Sequence, residues 1–291
     1  MIKGSIVALV TPFKEDGSVN FEKLEELLEL HVANHTDAIL VLGTTGESTT
    51  MSHEEDDDVV EFALRVINGR IPVIAGSGSN DTKTMLEKSK KYADMGADAL
   101  LAITPYYNKA NEQGMIKHFT TVADAVSKPL ILYNVPGRTA CSLSVSAVEK
   151  LSKHPNICGI KEASGDLGYA MSISRFLSDD FVMYSGNDDI IVPMLAIGAS
   201  GVISVFANTH PQECHDLVTK WLEGDHAGSL AIQQKYLDYI HALFYEVNPI
   251  PVKEAMNQMG MEIGGYRLPL CEMSEANKER LVEQMKKVGA L

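Results

Sequence analysis

The run Ala99-Leu100-Leu101-Ala102-Ile103 carries no charge, and after an amphipathic stretch a second apolar run follows it, Pro129-Leu130-Ile131-Leu132-Tyr133. Short continuous apolar runs suit strands buried on both faces, as in a parallel sheet whose crossovers are helices. Working outward from this pair, the same unit recurs in both directions. Before it lie Ser5 to Val10, Ala38 to Leu42 and Pro72 to Ala75; after it lie Asn156 to Lys161, Phe181 to Ser185 and Gly201 to Val205. The connecting stretches have helical spacing, as in Phe21, Leu24, Leu27, Leu28 and His31, which gather on one helix face. Eight strand–helix units in strict alternation predict a closed (β/α)8 barrel. A doubly wound open sheet would call for a dinucleotide fingerprint in the first turn, and Val10-Thr11-Pro12-Phe13 has none.

Helix ends are legible as well. Ser52-His53-Glu54-Glu55 fits a capping box, and the following Asp56-Asp57-Asp58 reads as charge complementing a positive helix N-terminus. Beyond Gly224 no strand-like run remains. A helix is expected over Ser229 to Tyr245, and Asn248-Pro249-Ile250-Pro251 breaks it. Pro251 is placed to open a helix over Val252 to Met259, and Ser274 to cap a last one reaching about Lys287. The expected organisation is a barrel over residues 1–224 and a C-terminal helical domain over 225–291.

The chain has 291 residues, 45% of them hydrophobic, so it can bury a full core without disulfides or structural metals. Lys+Arg 25 against Asp+Glu 39 gives a net charge of −14. Such a surface repels phosphate backbones and anionic lipid, which argues against nucleic-acid and membrane partners. No apolar run approaches the ~18 to 20 residues of a transmembrane helix. Cys141, Cys158, Cys214 and Cys271 form no CxxC pair and no disulfide framework, and Met1 leads straight into a strand-like run. The expected compartment is the cytoplasm.

In a (β/α)8 barrel, chemistry sits at the C-terminal ends of the strands. Lys161 ends the sixth run, where its ammonium would lie at the rim of the interior, an expensive place for an unpaired charge. It is therefore either paired, with Glu162 as the neighbouring candidate, or a neutral amine suited to Schiff-base chemistry on a carbonyl. Tyr133 and Tyr107 are phenols at adjacent strand ends, and Thr44 is a hydroxyl able to link them into a proton relay. Each tyrosine alone would read as a core ring. Arg138 offers a bidentate fork for a carboxylate, and the amides of Gly43-Thr44-Thr45-Gly46 can hold a second. Gly76-Ser77-Gly78 lacks the third glycine of a dinucleotide loop, and no GxxxxGK[ST] exists. The spacing of His210, Glu213, Cys214 and His215 is not HExxH, so neither a metal nor another cofactor is expected.

The motifs Gly43-Thr44-Thr45-Gly46-Glu47, Thr104-Pro105-Tyr106-Tyr107-Asn108, Tyr133-Asn134-Val135-Pro136-Gly137-Arg138-Thr139 and Gly159-Ile160-Lys161-Glu162-Ala163 stand in this order. With Asn248-Pro249-Ile250-Pro251-Val252-Lys253 and Arg267-Leu268-Pro269-Leu270, the chain resembles the Schiff-base pyruvate lyase/aldolase family over nearly its whole length. The resemblance implies condensation of pyruvate with L-aspartate 4-semialdehyde, the first committed step of the diaminopimelate–lysine pathway. It implies that Lys161 forms an imine with pyruvate and that Tyr133, Thr44 and Tyr107 relay protons, Tyr107 reaching in from a neighbouring subunit. Thr45 would hold the pyruvate carboxylate and Arg138 that of the semialdehyde, with Gly186 and Ile203 lining the pocket.

The family's common assembly is a homotetramer, a dimer of dimers. Many members are inhibited by lysine at positions that match Ser48, Thr49, His53, Asp56, Asn80, Thr84 and Tyr106. Asp56 and Thr84 replace the His and Glu usual in lysine-sensitive members, so weak or absent inhibition is expected. The alternatives are a sister aldolase for a sugar acid, such as N-acetylneuraminate lyase or keto-deoxy-gluconate aldolase, and a non-catalytic binding protein on the same barrel. Arg138 and Tyr106-Tyr107 favour a short anionic aldehyde over a polyol, and a binding protein would have no need of Lys161 beside two phenols.

Overall fold

The structure is a computed structural model that describes all 291 residues. Eight parallel strands close into a barrel in chain order. They are β1 (Gly4–Ala8), β2 (Ala38–Val41), β3 (Val73–Gly76), β4 (Ala99–Ile103), β5 (Leu130–Asn134), β6 (Ile157–Glu162), β7 (Val182–Ser185) and β8 (Gly201–Ser204). Each lies within a residue or two of the run that predicts it, because burial on both faces leaves no polar residue to blur a strand's ends.

Alternation along the strands separates two cores. Ile6, Leu40, Ile74, Leu101, Ile131, Tyr133, Tyr184 and Ile203 fill the interior, while the opposite faces pack against the helices. The outer core runs unbroken from the barrel helices into the last helices, through Tyr239, Met256 and Met285.

Helix α1 (Phe21–Ala33) buries Leu24, Leu27, Leu28 and His31, the face read from its spacing. Helix α2 (His53–Ile67) begins with the expected capping box: Glu55 N–H donates to Ser52 Oγ, and Ser52 N–H donates to Glu55 Oε2. The acidic triplet begins in the first turn of α2, as its reading as helix-terminus charge expects, but it also makes ion pairs. Asp56 is buried and bound to Lys88 at 2.7 Å, and Asp57 pairs with Lys91, both lysines standing on α3 (Thr82–Met95). Helices α4 (Glu112–Ala123), α5 (Pro136–Thr139), α6 (Val145–Leu151), α7 (Leu167–Ser174), α8 (Ile191–Ala196) and α9 (Pro211–Leu222) complete the ring.

The chain then continues in α10 (His226–Ala242), α11 (Ile250–Gln258) and α12 (Glu275–Val288). Helix α10 starts three residues before the expected Ser229, because Asp225 caps it by accepting the Gly228 N–H at 2.9 Å. Helix α11 starts at Ile250, with Pro251 in its first turn rather than opening it. Ser274 occupies the cap position of α12 but makes no cap hydrogen bond; its hydroxyl donates to Glu246 at 2.6 Å. No helix is long and apolar enough to cross a membrane, and the four cysteines are free.

Candidate active site

A cavity of about 260 Å³ opens at the C-terminal mouth of the barrel, lined by Gly43, Thr44, Gly76, Tyr106, Tyr133 and Arg138 among others. Tyr133 lines the cavity, and Lys161, its neighbour by strand register, does not. Tyr133 of β5 and Lys161 of β6 are paired positions, as are Asn134 and Glu162 one residue further on. Successive residues on a strand face opposite ways, so Tyr133 and Lys161 project into the barrel and Asn134 and Glu162 away from it.

Lys161 is only 5% exposed, and its Nζ lies 4.5 Å from the centre of the Tyr133 ring. Glu162, the neighbouring candidate, is not its partner. Behind the strands, Glu162 accepts from Asn134 Nδ2 at 2.7 Å and from the Ser164 N–H at 2.6 Å. Burial pushes the Glu162 carboxyl above the usual carboxylate range, but two N–H donors, one on each oxygen, match the ionised form. Asn134 Oδ1 in turn accepts from Leu143 N–H at 3.0 Å and Ser142 Oγ at 3.2 Å. One buried network thus joins β5, β6 and the far end of the loop that carries Arg138.

The opposite wall is the loop after β2. Gly46 N–H donates to Gly43 O at 3.0 Å and Glu47 N–H to Thr44 O at 3.2 Å, while the N–H groups of Thr44 and Thr45 have no acceptor in the chain. Two free amides on a tight loop are the kind of donors that can hold an anion. Thr45 is buried, and its Oγ1 accepts from Asn248 Nδ2 at 3.0 Å. Arg138 is exposed and forms no salt bridge; its Nη2 donates to the Asn248 carbonyl at 3.0 Å, leaving the rest of the fork open. Asn248, read from sequence only as part of a helix break, therefore touches both carboxylate-binding candidates.

The remaining candidates divide. Ser48, Thr49 and Tyr106 share the cavity with Thr44 and Tyr133. Ile203 sits in the interior core, and Gly186 donates its N–H to Glu162 O at 2.7 Å, with Ala163 so close that a Cβ would collide with it. Neither lines this cavity. Tyr107 is 89% exposed at φ 73° and shares no hydrogen bond with Tyr133 or Thr44 within the chain. His53 is exposed at the start of α2, Asn80 offers its carbonyl to Asn108 Nδ2 at 2.8 Å, and Thr84 donates its hydroxyl to Asp81 at 2.7 Å.

No group of three or more His, Cys, Asp or Glu side chains is placed to hold a metal. His210 is buried against Phe206, Tyr236 and Tyr239, and His215 contacts Asp37 at 3.0 Å.

Fold and site together define a (β/α)8-barrel enzyme with a cavity at the strand ends and a lysine buried in the barrel. The chain belongs to the dihydrodipicolinate synthetase family, whose model matches residues 1–288. It is 50% identical over 291 residues to a 4-hydroxy-tetrahydrodipicolinate synthase of Clostridium perfringens, covering 100% of both chains. Among solved structures, the dihydrodipicolinate synthase of Aquifex aeolicus is 45% identical with a TM-score of 0.96, covering 99% of this chain and 98% of that one. The chloride-inhibited enzyme of Acinetobacter baumannii, complexed with pyruvate, is 42% identical with a TM-score of 0.98, covering 100% of both.

Proposed function

We propose that the protein condenses pyruvate with L-aspartate 4-semialdehyde through an imine on Lys161, as a lyase of diaminopimelate and lysine biosynthesis. The observation that carries this reading is the buried Lys161 beside the Tyr133 ring, on register partners at the mouth of the barrel. The Lys161 amine attacks the keto carbon of pyruvate, and water leaves as the imine forms. Tyr133 passes the protons this step needs. Loss of a methyl proton gives the enamine, whose carbon attacks the aldehyde and forms the new carbon–carbon bond. The free amides of Thr44 and Thr45 suit the pyruvate carboxylate, and the open fork of Arg138 suits that of the semialdehyde.

In this reading Tyr107 serves a neighbouring copy, since its ring is exposed and does not line its own cavity; the assembly is a homotetramer built as a dimer of dimers. The compartment is the cytoplasm. Lysine feedback is weak, because Thr84 is spent on Asp81 and Asp56 on Lys88. Calorimetric titration with lysine should give no micromolar binding.

The central test is borohydride trapping. Incubation with pyruvate followed by reduction should leave a mass adduct on Lys161, and turnover should follow when the semialdehyde is added without reductant. Absence of the adduct removes the imine reading.

A further inference from the structure

Lys253 on α11 is wholly buried, and its ammonium contacts three separate parts of the fold. It donates to Glu47 Oε1 at 2.7 Å, to the Thr11 carbonyl at 3.2 Å and to the Gly265 carbonyl at 2.5 Å, and it lies 4.4 Å from the centre of the Phe13 ring. Glu47 is buried too, with its Oε2 left without a partner. Burying an ion pair costs several kcal/mol per ion in desolvation, and apolar residues of similar volume often replace such pairs without loss of stability. Packing alone therefore does not account for the pair.

What it accomplishes is geometric. Glu47 ends the loop after β2 in a left-handed conformation, φ 55°. The loop is anchored on its inner side, where Thr11 Oγ1 donates to Gly46 O at 2.6 Å. Lys253 grips the Thr11 carbonyl and the Glu47 carboxylate together, so it locks the segment that follows β1 to the end of the loop. Just before Glu47 in the same loop stand Thr44 and Thr45, with amides that have no acceptor in the chain.

We propose that Lys253 is a positioning residue for the carboxylate loop: by clamping Glu47 to Thr11 in the segment that follows β1, it fixes the Thr44 and Thr45 amides where they hold a 2-keto acid for attack by Lys161. The assignment rests on the reading of pyruvate bound as an imine at Lys161. Lys253 touches no substrate, and its removal acts through the loop.

The double variant Glu47→Leu/Lys253→Met replaces the pair with apolar side chains, and Glu47→Gln keeps the shape while removing the charge. Each is compared with the wild-type enzyme by borohydride trapping over a pyruvate titration, by steady-state kinetics and by thermal melting. The double variant should melt within a few degrees of wild type. Its half-saturating pyruvate concentration should rise about tenfold, while the trapping rate at saturating pyruvate and the KM for the semialdehyde stay within about threefold. Glu47→Gln should shift the same way by a smaller factor.

Wild-type half-saturation in a folded double variant overturns the proposal, and so does an equal fall in every parameter together with a lower melting temperature. If the double variant does not fold, Glu47→Gln decides by the same split between pyruvate KM and the other parameters. Failure of wild type itself to form the adduct would instead strike at the Lys161 reading, so the two failures are told apart.

Discussion

On the β5–β6 rim of the cavity, Tyr133 and Lys161 stand on paired strand positions and are braced from behind by Asn134 and Glu162, 28 positions apart. On the β2 rim, Thr44 and Thr45 stand on a loop whose braces, Asn248 and Lys253, come from 203 and 206 positions away. The first rim is built by the barrel from its own ladder. The second is completed only by the helices that follow the barrel. In the proposed reading, the amine and the phenol beside it, Lys161 and Tyr133, are carried on strands, where register sets distances; groups suited to anchoring a carboxylate are carried on a loop that needs outside support. This division separates two kinetic signatures: damage to the strand rim should fall on kcat, and damage to the loop rim on the pyruvate KM.

The largest expected effect tests the strand rim directly. Tyr133→Phe removes the hydroxyl assigned to proton transfer and should lower kcat on the order of 10² to 10⁴-fold with a small change in pyruvate KM. Steady-state kinetics in both substrates check it; a change confined to KM would break the division.

A smaller effect is expected one step back. Asn134→Ala leaves Glu162 and the Leu143 N–H each short of a buried partner, at a cost of about 1–3 kcal/mol apiece. Denaturant unfolding should show that loss, and kcat should drop about tenfold as Tyr133 and Lys161 lose alignment. Wild-type kcat in a destabilised variant would make this network a brace of the fold alone.

The smallest effect concerns the joint between barrel and C-terminal helices. Burial pushes the His31 imidazole down to about 3, and it lowers His210 as well. The unfolded chain takes up these protons first, near the ordinary value of ~6.5, so stability is intact above that pH and falls as pH drops toward the folded values. At pH 5 the loss is about 2 kcal/mol per histidine. His210 packs on Tyr236 and Tyr239 of α10, whereas His31 lies on α1. His210→Phe should therefore shrink the drop in melting temperature between pH 7 and pH 5 by a few degrees. An unchanged pH dependence would show that acid does not act through this joint.

The strands and the strand-end residues were open to a reader of the sequence, because uniform apolar runs mark buried strands and the barrel places chemistry at their ends. What stayed hidden are the pairings between distant elements. Asp56 reads as helix-dipole charge until Lys88 is brought across from α3. Ser274 reads as a cap until Glu246 claims its hydroxyl. Asn248 reads as a helix break, although its amide reaches Thr45 and its carbonyl reaches Arg138. Local pattern reports what a residue does for its own element, and each of these side chains serves another.

The distance in sequence between Glu47 and Lys253 also sets an order of events during synthesis. At about 5–20 residues per second, the ribosome delivers Lys253 roughly 10–40 s after Glu47. The six strands β3 to β8 leave the ribosome in that interval, yet the β2 loop must wait with an acid that has no cation to meet. A nascent chain therefore has all eight strands in hand before the cation that its β2 loop binds has been made.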